Sequence, residues 1–301
     1  MTSPPNPPSL SPDVVVCARL VDDFLAQQLS AEDRHGVRVL EAMRYSLFAG
    51  GKRIRATMTM IAAETFGEDR MAVLPAAAAI EMIHTATLIH DDLPCIDDSD
   101  LRRGKPSCHK AYGEATALLA GDALIIGAFE ILATQARTHD PAAVAEAIGE
   151  VAHFTGGQGL IAGEAADIAA EKRPLDEDML TYVHENKTAA LFQAAARTGA
   201  ILARAPAQGL QALTDYAYHF GRVFQITDDI LDVVGDADKM GKRPGTDERL
   251  SKATFPRLCG VEGSRALARQ FAERARLAVE RLPAKREFWL WLLDFLLARE
   301  A

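Results

Sequence analysis

One acidic pattern occurs twice, once in each half of the chain, and it constrains the fold more than any other feature. The first copy runs from His90 to Asp97 and the second from Gln225 to Asp232. Carboxylates packed this closely repel one another, and a fold tolerates them mainly where a cation lies between them. Oxygen ligands of this kind suit Mg2+, whose coordination substrate phosphates often complete. The two copies can form one multi-metal site only if both halves of the chain belong to one bundle.

The rest of the sequence predicts helices. Aromatic residues make up only 6% of the chain and alanine is abundant, a composition that favours helices over sheet. Helical periodicity covers about 13–29, 36–47, 54–66, 80–91, 112–134, 141–155, 187–204, 208–235, 263–281 and 286–299. We find no convincing strand alternation, and we expect the apolar helix at 112–134 to be buried. We therefore predict an all-α, single-domain helical bundle around a deep central cavity at 13–301, after a disordered Pro-rich leader at 1–12.

Charge and composition argue against several classes of protein. The formal net charge of −9 is opposite to what nucleic acids or anionic membranes attract. The four cysteines show no pairing pattern, so we interpret them as reduced thiols of a cytoplasmic protein. We find no secretion signal and no run of about 18 apolar residues, and we expect no stable membrane insertion.

Spacing places the acidic residues of each copy. Asp228 and Asp232 are four apart, hence neighbours on one face of a helix. Asp91 and Asp97 are six apart, which on an ideal helix points them roughly 120° apart. Pro94 lies between them and disrupts the regular turn, so we expect the chain to bring Asp97 back beside Asp91.

Basic motifs alternate with the acidic ones along the chain. They are Gly50–Arg55, Arg102–Lys105, Lys187–Thr188 and, more weakly, Lys239–Arg243. Arginine and lysine are the usual partners of phosphate oxygens. Taken singly, each is more often a surface charge. Together with two acidic motifs they predict a pocket for two diphosphates, one held by metals and the other by cations of the protein.

These motifs resemble those of the trans-isoprenyl diphosphate synthases of the short-chain farnesyl/geranylgeranyl type. The resemblance covers roughly residues 38–260. Its matching segments are Tyr45–Arg55, Glu81–His84, Leu88–Asp92, Asp100–Pro106, Leu119–Leu124, Glu185–Leu191, Phe224–Asp232 and Lys252–Pro256. It implies a Mg2+-dependent homodimer that joins isopentenyl diphosphate head-to-tail to allylic diphosphates.

The resemblance also implies roles for residues at the matching positions. The ligands of three Mg2+ ions would be Asp91, Asp97 and Asp228. The contacts to isopentenyl diphosphate would be Lys52, Arg55, His84 and Arg103. The contacts to the allylic substrate would be Arg102, Lys187, Thr188, Gln225 and Lys242, of which all but Lys242 are also candidate catalytic residues. From spacing alone, His84 would more often be a hydrogen-bonded core residue.

The sequence departs from the family pattern at three positions. Ala56 replaces a common Pro, Ser99 replaces a common acidic or amide residue, and Glu164 replaces a common Gln. None of these changes removes a proposed ligand, and the effect of Glu164 on metal binding stays open.

Product length should depend on the helix that leads to Asp91. Farnesyl-type relatives usually have an aromatic floor where this chain has Ala86, so Ile83, about one turn deeper, becomes the predicted stop. One turn, ~5 Å, accommodates about one more isoprene unit. We therefore predict geranylgeranyl diphosphate as the product. Farnesyl diphosphate is the alternative if another side chain, such as Phe48 or Phe129, supplies a floor.

Three other functions compete with this one. A class I terpene cyclase would bind one diphosphate and have less need for Lys52 and Arg55. A non-catalytic subunit of a heteromeric synthase would usually lack an Asp-rich motif, and both motifs are present here. A His-Asp phosphohydrolase built on His90 would need further histidine ligands, which the sequence does not offer at suitable spacing.

Overall fold

The computed structural model describes residues 10–30, 36–171, 176–234 and 254–298. The α-helices are α1 (Pro12–Gln28), α2 (Val37–Leu47), α3 (Ile54–Thr65), α4 (Leu74–Asp91), α5 (Cys108–Tyr112), α6 (Glu114–Ala133), α7 (Pro141–Thr155), α8 (Leu160–Ala170), α9 (Glu177–Val183), α10 (Ala190–Leu202), α11 (Ala207–Val234), α12 (Phe255–Val279) and α13 (Arg286–Leu297). A 3-10 turn (Thr134–Arg137) follows α6, and a π-helical segment (His184–Ala189) joins α9 to α10. The predicted all-α fold is confirmed.

Local chemistry explains where several helices begin. The Ser11 side chain accepts from the backbone N–H of Asp13, and Pro12 occupies the first turn of α1, where a missing N–H does no harm. Asp140 caps α7 in the same way, ahead of Pro141. The first helix thus begins one residue inside the range predicted as a leader. The extent of the domain stays a prediction.

One continuous core joins the two halves of the chain. Helix α4 is buried along nearly its whole length and packs against α6 and α3. Helix α10 packs against α3, α7 and α11, and α11 packs along α12. The last helix is fixed by Trp289, whose indole N–H donates to Thr65 Oγ1 at 3.1 Å, while Tyr216 OH donates to its carbonyl oxygen at 2.7 Å. The first and last parts of the chain therefore share one core.

The structure differs from the sequence-based expectations in several elements. Residues 101–106 form a two-strand hairpin, β1 (Leu101–Arg102) and β2 (Lys105–Pro106), whose strands are too short to show an alternation pattern. Helices α5, α8 and α9 were also not predicted. Most of the other predicted helices have bounds within a few residues of the structure.

Helix α6 forms as predicted, but the expectation that it is buried was wrong for one of its faces. Leu118, Leu119 and Ile126 are 47%, 54% and 69% exposed, because only the opposite face packs on α4 and α2. By length and composition, Glu114–Arg137 could also cross a membrane, although buried helices of other proteins satisfy the same criterion. A search for an uninterrupted apolar run overlooks this segment because acidic residues interrupt it.

Candidate active site

The first acidic motif folds back on the end of α4. The helix ends at Asp91, and the backbone N–H of Asp97 donates to the Asp91 carbonyl oxygen at 2.9 Å. The intervening residues around Pro94 form turns instead of continuing the helix. The two carboxylates are thereby neighbours, as the position of the proline predicted.

The second aspartate of this motif, Asp92, is paired with Arg102. Arg102 Nε donates to both carboxylate oxygens of Asp92 at 3.1 Å, and Asp92 is buried. The hairpin that carries Arg102 is held against α2, because Tyr45 OH donates to the Pro106 carbonyl oxygen at 2.7 Å. Arg102 is therefore fixed beside the first acidic motif, where the charges of Asp91 and Asp97 help to raise its pKa.

Lys187 lies between two carboxylates of α8. Its Nζ is 2.6 Å from Asp167 Oδ2 and 2.8 Å from Glu164 Oε2. Burial opposes its positive charge, but the carboxylates of Asp167, Glu164 and Asp91 outweigh burial and hold the pKa of Lys187 well above its usual value. Lys187 is thus a permanent cation at the first acidic motif.

Asp91 has an excess of negative charge around it. Burial, then the carboxylates of Glu164 and Asp97, raise the pKa of Asp91 to about 7, against the opposing Lys187 and Arg102. A divalent cation would relieve this repulsion, so the donors fit Mg2+. Within the described residues, no three acidic, His or Cys side chains are already gathered as a metal site. Water molecules, and diphosphate oxygens once substrate is bound, would therefore complete the coordination.

The π-helical segment links the two acidic motifs. It carries Lys187 beside Asp91 and Thr188 beside α11, where Thr188 Oγ1 donates to Gln225 Oε1 at 2.6 Å. Gln225 Nε2 in turn donates to Asp229 Oδ1 at 2.8 Å. A π-helical turn inside a helix is frequently found at functional sites. Here the π-helical turn allows the consecutive residues Lys187 and Thr188 to contact α8 and α11, respectively.

Asp229 also contacts a buried histidine. His184 Nε2 lies 3.4 Å from Asp229 Oδ2, which also accepts from the backbone N–H of Phe255 at 3.4 Å. Asp228, the predicted ligand, is half-buried on the same helix next to this network. The network fixes the second acidic motif against the beginning of α12.

A second group of polar side chains lies at the beginning of α3 and on α4, with Arg55 as its cation. Arg55 stacks over Phe192 at 4.1 Å, and its Nη1 is 3.5 Å from His84 Nε2. Burial and the nearby Arg103 lower the pKa of Arg55 to about 10, so it stays charged at neutral pH. Burial and the surrounding arginines hold the pKa of His84 well below its usual range, so His84 is neutral there. Arg55 is half-buried, and its Nε is buried without a hydrogen-bond partner within the described residues. A guanidinium in this position indicates a site for an anion.

The neighbouring Arg53 has a different role from the rest of its motif. Its guanidinium contacts Asp22 at 2.8 Å and Glu81 at 3.5 Å, and it is buried. Glu81 also accepts from the backbone N–H of Ala56 at 3.1 Å. Arg53 and Glu81 therefore hold α1, α3 and α4 together and position Arg55.

Lys52 is exposed, and its ammonium lies 5.2 Å from the centre of the Phe295 ring on the last helix.

Ala86 and Ile83, the predicted determinants of product length, are both buried on α4. Phe48 and Phe129, the alternative floors, are half-buried against the core. Lys242 lies outside the described residues.

Sequence reasoning missed several residues of this site, most of all Asp167 and His184. For Asp167 a signal existed. Glu164 and Asp167 are three residues apart, about one helical turn, which places both acids on one face of a helix. His184 had no such signal, because nothing local indicates that it will meet Asp229.

These side chains define a class: an all-α enzyme with carboxylates for divalent cations at one end of a site and buried cations for phosphate groups beside them. Residues 37–283 match the polyprenyl synthetase family model. A heterodimeric geranylgeranyl pyrophosphate synthase large subunit of Arabidopsis thaliana is 43% identical over 268 residues, which are 87% of this chain and 72% of that protein. The chain belongs to the polyprenyl synthetase family, and its activity is that of a prenyltransferase.

Solved structures agree with this assignment. An apo FPP/GFPP synthase of Zymomonas mobilis superposes with a TM-score of 0.85 at 35% identity, over 94% of this chain and 97% of that one. A geranyltransferase of Helicobacter pylori, complexed with magnesium and isoprenyl diphosphate, gives a TM-score of 0.81 at 29% identity, over 96% and 98%. The family is Mg2+-dependent. The names of these relatives cover several product lengths, so family membership alone does not fix the product.

Proposed function

We propose that this chain condenses isopentenyl diphosphate head-to-tail with allylic diphosphates and releases geranylgeranyl diphosphate. The observation that carries the proposal is the placement of Lys187 beside Asp91, together with the contact between Arg55 on α3 and His84 on α4. One diphosphate would lie at the acidic motifs and the other at Arg55, His84 and their neighbours. The alternative product is farnesyl diphosphate.

The metal ligands would be Asp91, Asp97 and Asp228, and we propose that they hold three Mg2+ ions when substrate is bound. Bound Mg2+ would neutralise the allylic diphosphate and make it a better leaving group.

The cations of the chain would bind both substrates. Lys187 and Arg102 are already fixed beside the first acidic motif, so they can bind allylic diphosphate oxygens without reorganisation. Lys242 would contact the same diphosphate. The group for isopentenyl diphosphate would consist of Lys52, Arg55, His84 and Arg103. Binding both diphosphates in one site aligns the alkene with the allylic carbon.

Thr188 and Gln225 would orient dipoles towards the positive charge that develops on the allylic carbon. Their mutual hydrogen bond and the contact of Gln225 with Asp229 fix both side chains before substrate arrives. Because the cations keep the departing diphosphate nearby, one of its oxygens can take the proton released when the new bond forms.

The small side chain of Ala86 supports the twenty-carbon product. Ala86 is fully buried on α4, and Ile83 lies about one turn deeper. The test is to incubate the purified chain, expressed alone, with dimethylallyl diphosphate, isopentenyl diphosphate and Mg2+ and to identify the product. A dominant fifteen-carbon diphosphate would overturn the product assignment. A cyclic hydrocarbon would indicate a cyclase, and no product would indicate a non-catalytic subunit.

We also propose that two copies pair through the exposed face of α6. The exposed positions form one stripe along the helix: Glu114, Ala115, Leu118, Leu119, Asp122, Ile126, Glu130 and Ala133. An apolar stripe that is exposed along most of a helix is characteristic of an interface. Three acidic side chains within it make a bilayer a poorer match than a second copy.

Sedimentation can test the pairing. Ile126→Lys should convert a dimer to a monomer, whereas Leu277→Lys, at a 61% exposed leucine of α12, should leave it a dimer. A wild-type monomer would overturn the proposal. Flotation of wild-type protein with phosphatidylcholine vesicles, lost in Ile126→Lys, would instead identify α6 as a membrane-binding segment.

A further inference from the structure

Helix α8 adds a further pair of acidic side chains to the site, outside both Asp-rich motifs. Glu164 and Asp167 lie three residues apart on one face of the helix, and both contact the Lys187 ammonium. The Glu164 side chain is only 13% exposed and the Asp167 side chain 9%. Their carboxylates are therefore part of the interior of the site.

Gly163 makes this approach possible. A Cβ at Gly163 would overlap the backbone N of Lys187 and the carbonyl carbon of Asn186. Because glycine has no side chain, α8 and the π-helical segment pack backbone to backbone, and the next residue of α8 projects towards Lys187. The position of Glu164 is thus set by rigid backbone contacts.

The charges in this cluster do not balance. Asp91, Asp97, Glu164 and Asp167 carry four negative charges when ionised, whereas Lys187 supplies one positive charge and Arg102, the other nearby cation, is paired with Asp92. Asp167 makes the shorter contact to Lys187. Glu164 Oε2 shares the ammonium, but Glu164 Oε1 is buried and has no hydrogen-bond partner within the described residues. A buried carboxylate oxygen without a donor is costly unless a cation or donor joins it.

We propose that Glu164 is a positioning residue of the metal site, and that its negative charge strengthens the binding of divalent cations beside Asp91. The proposal rests on the proposed function, because it takes Asp91 as a metal ligand. The single charge of Lys187 cannot neutralise both Glu164 and Asp167. The remaining negative charge of Glu164 therefore attracts a cation that is bound by Asp91. A glutamine at this position would keep the shape and one hydrogen bond to Lys187 while removing the charge.

Three variants separate charge from shape. Glu164→Gln is nearly isosteric and neutral, whereas Glu164→Asp is shorter and keeps the charge. Glu171→Gln is the matched control, since it makes the same change at the residue that follows the last turn of α8, seven residues or ~10 Å away. The probe is Mn2+ added to the full chain without substrate, with bound and free Mn2+ measured by electron paramagnetic resonance. Thermal unfolding of each variant verifies that it is folded.

We expect Glu164→Gln to weaken Mn2+ binding by about threefold to thirtyfold, because removing a charge a few ångströms away weakens the attraction even in a polar interior. Glu164→Asp and Glu171→Gln should stay within about twofold of wild type. Wild-type affinity in Glu164→Gln would overturn the proposal, and so would an equal loss in Glu164→Asp or in Glu171→Gln.

Measuring Mn2+ binding and product formation on the same purified protein distinguishes an error about Glu164 from an error in the proposed function. If the wild-type chain makes prenyl diphosphates but Glu164→Gln binds Mn2+ normally, only the role of Glu164 fails. If the wild-type chain neither binds Mn2+ nor makes a product, the proposed function fails with it.

Discussion

The guanidinium of Arg103 lies in the space that a side chain on Gly51 would occupy. A Cβ at Gly51 would be 2.5 Å from Arg103 Nη1 and 2.8 Å from Cζ. Gly51 has a φ of +127°, which L side chains rarely adopt. The loop before α3 and the hairpin that carries Arg103 therefore meet at a position where only glycine fits. Arg103 also lines a pocket under the hairpin together with Arg102, Thr85 and Ile89.

Gly51→Ala should displace Arg103 and weaken isopentenyl diphosphate binding. We expect KM for this substrate to rise by about tenfold or more, the size expected for one lost hydrogen bond to a charged group. The KM for the allylic substrate should change little. Gly50→Ala is the control, because Gly50 also has a positive φ but its Cβ would meet no atom within 4 Å. If both variants behave alike, backbone strain and not Arg103 is the cause.

Ala86→Phe should shorten the product from twenty to fifteen carbons. The ring would fill the path about one turn above Ile83. Ile83→Ala should have the opposite effect and allow longer products, while destabilising the fold by about 2–5 kcal/mol because it opens a buried cavity. Chromatography of the dephosphorylated products measures both changes. A twenty-carbon product from Ala86→Phe would mean that the chain grows along a different helix face.

Metal binding should depend on the protonation of Asp91. Its pKa is raised to about 7, so below that pH a proton occupies the carboxyl and competes with the metal. The affinity for Mn2+ should therefore rise with pH up to about 7, by as much as tenfold per pH unit if one proton is displaced, and level off above it. Asp91→Asn should bind weakly and lose this dependence.

The raised pKa of Asp91 should also make the stability of the metal-free protein depend on pH. Because the folded-state pKa of Asp91 lies above its unfolded value of 3.8, the native state binds more protons between those two pH values. The contribution of Asp91 to stability is therefore present below about pH 4 and lost as pH rises towards 7. Denaturant unfolding of wild type and Asp91→Asn in the presence of a chelator measures it. A wild-type contribution that increased over this range would contradict the assignment.

Thr188→Val should remove the hydrogen bond that orients Gln225. We expect kcat to fall by about tenfold, since an interaction of 1–1.5 kcal/mol aligned with developing charge is lost. Both KM values should change little. Thr188→Ser restores the hydroxyl and should restore most of the activity. If Thr188→Ser is as slow as Thr188→Val, the methyl group and its packing matter instead.

Much of this architecture could be predicted from local pattern. Helical spacing predicted the segments that became α1, α3, α7 and α11, and Pro94 predicted the return of Asp97 to Asp91. The resemblance supplied the family, which the comparisons confirmed. The individual roles of the site residues stay predictions.

The sequence by itself determined the features that depend on neighbours along the chain. These are helix periodicity, caps, and the spacing of carboxylates within one motif. Only the tertiary structure decided which charges meet. The pairing of Lys187 with Glu164 and Asp167, and of Asp229 with His184, joins separate helices, and residue types alone do not specify such partners. The exposed face of α6 was decided in the same way. Its apolar residues predicted burial, but within the part of the chain that the structure describes the neighbouring helices cover only one side.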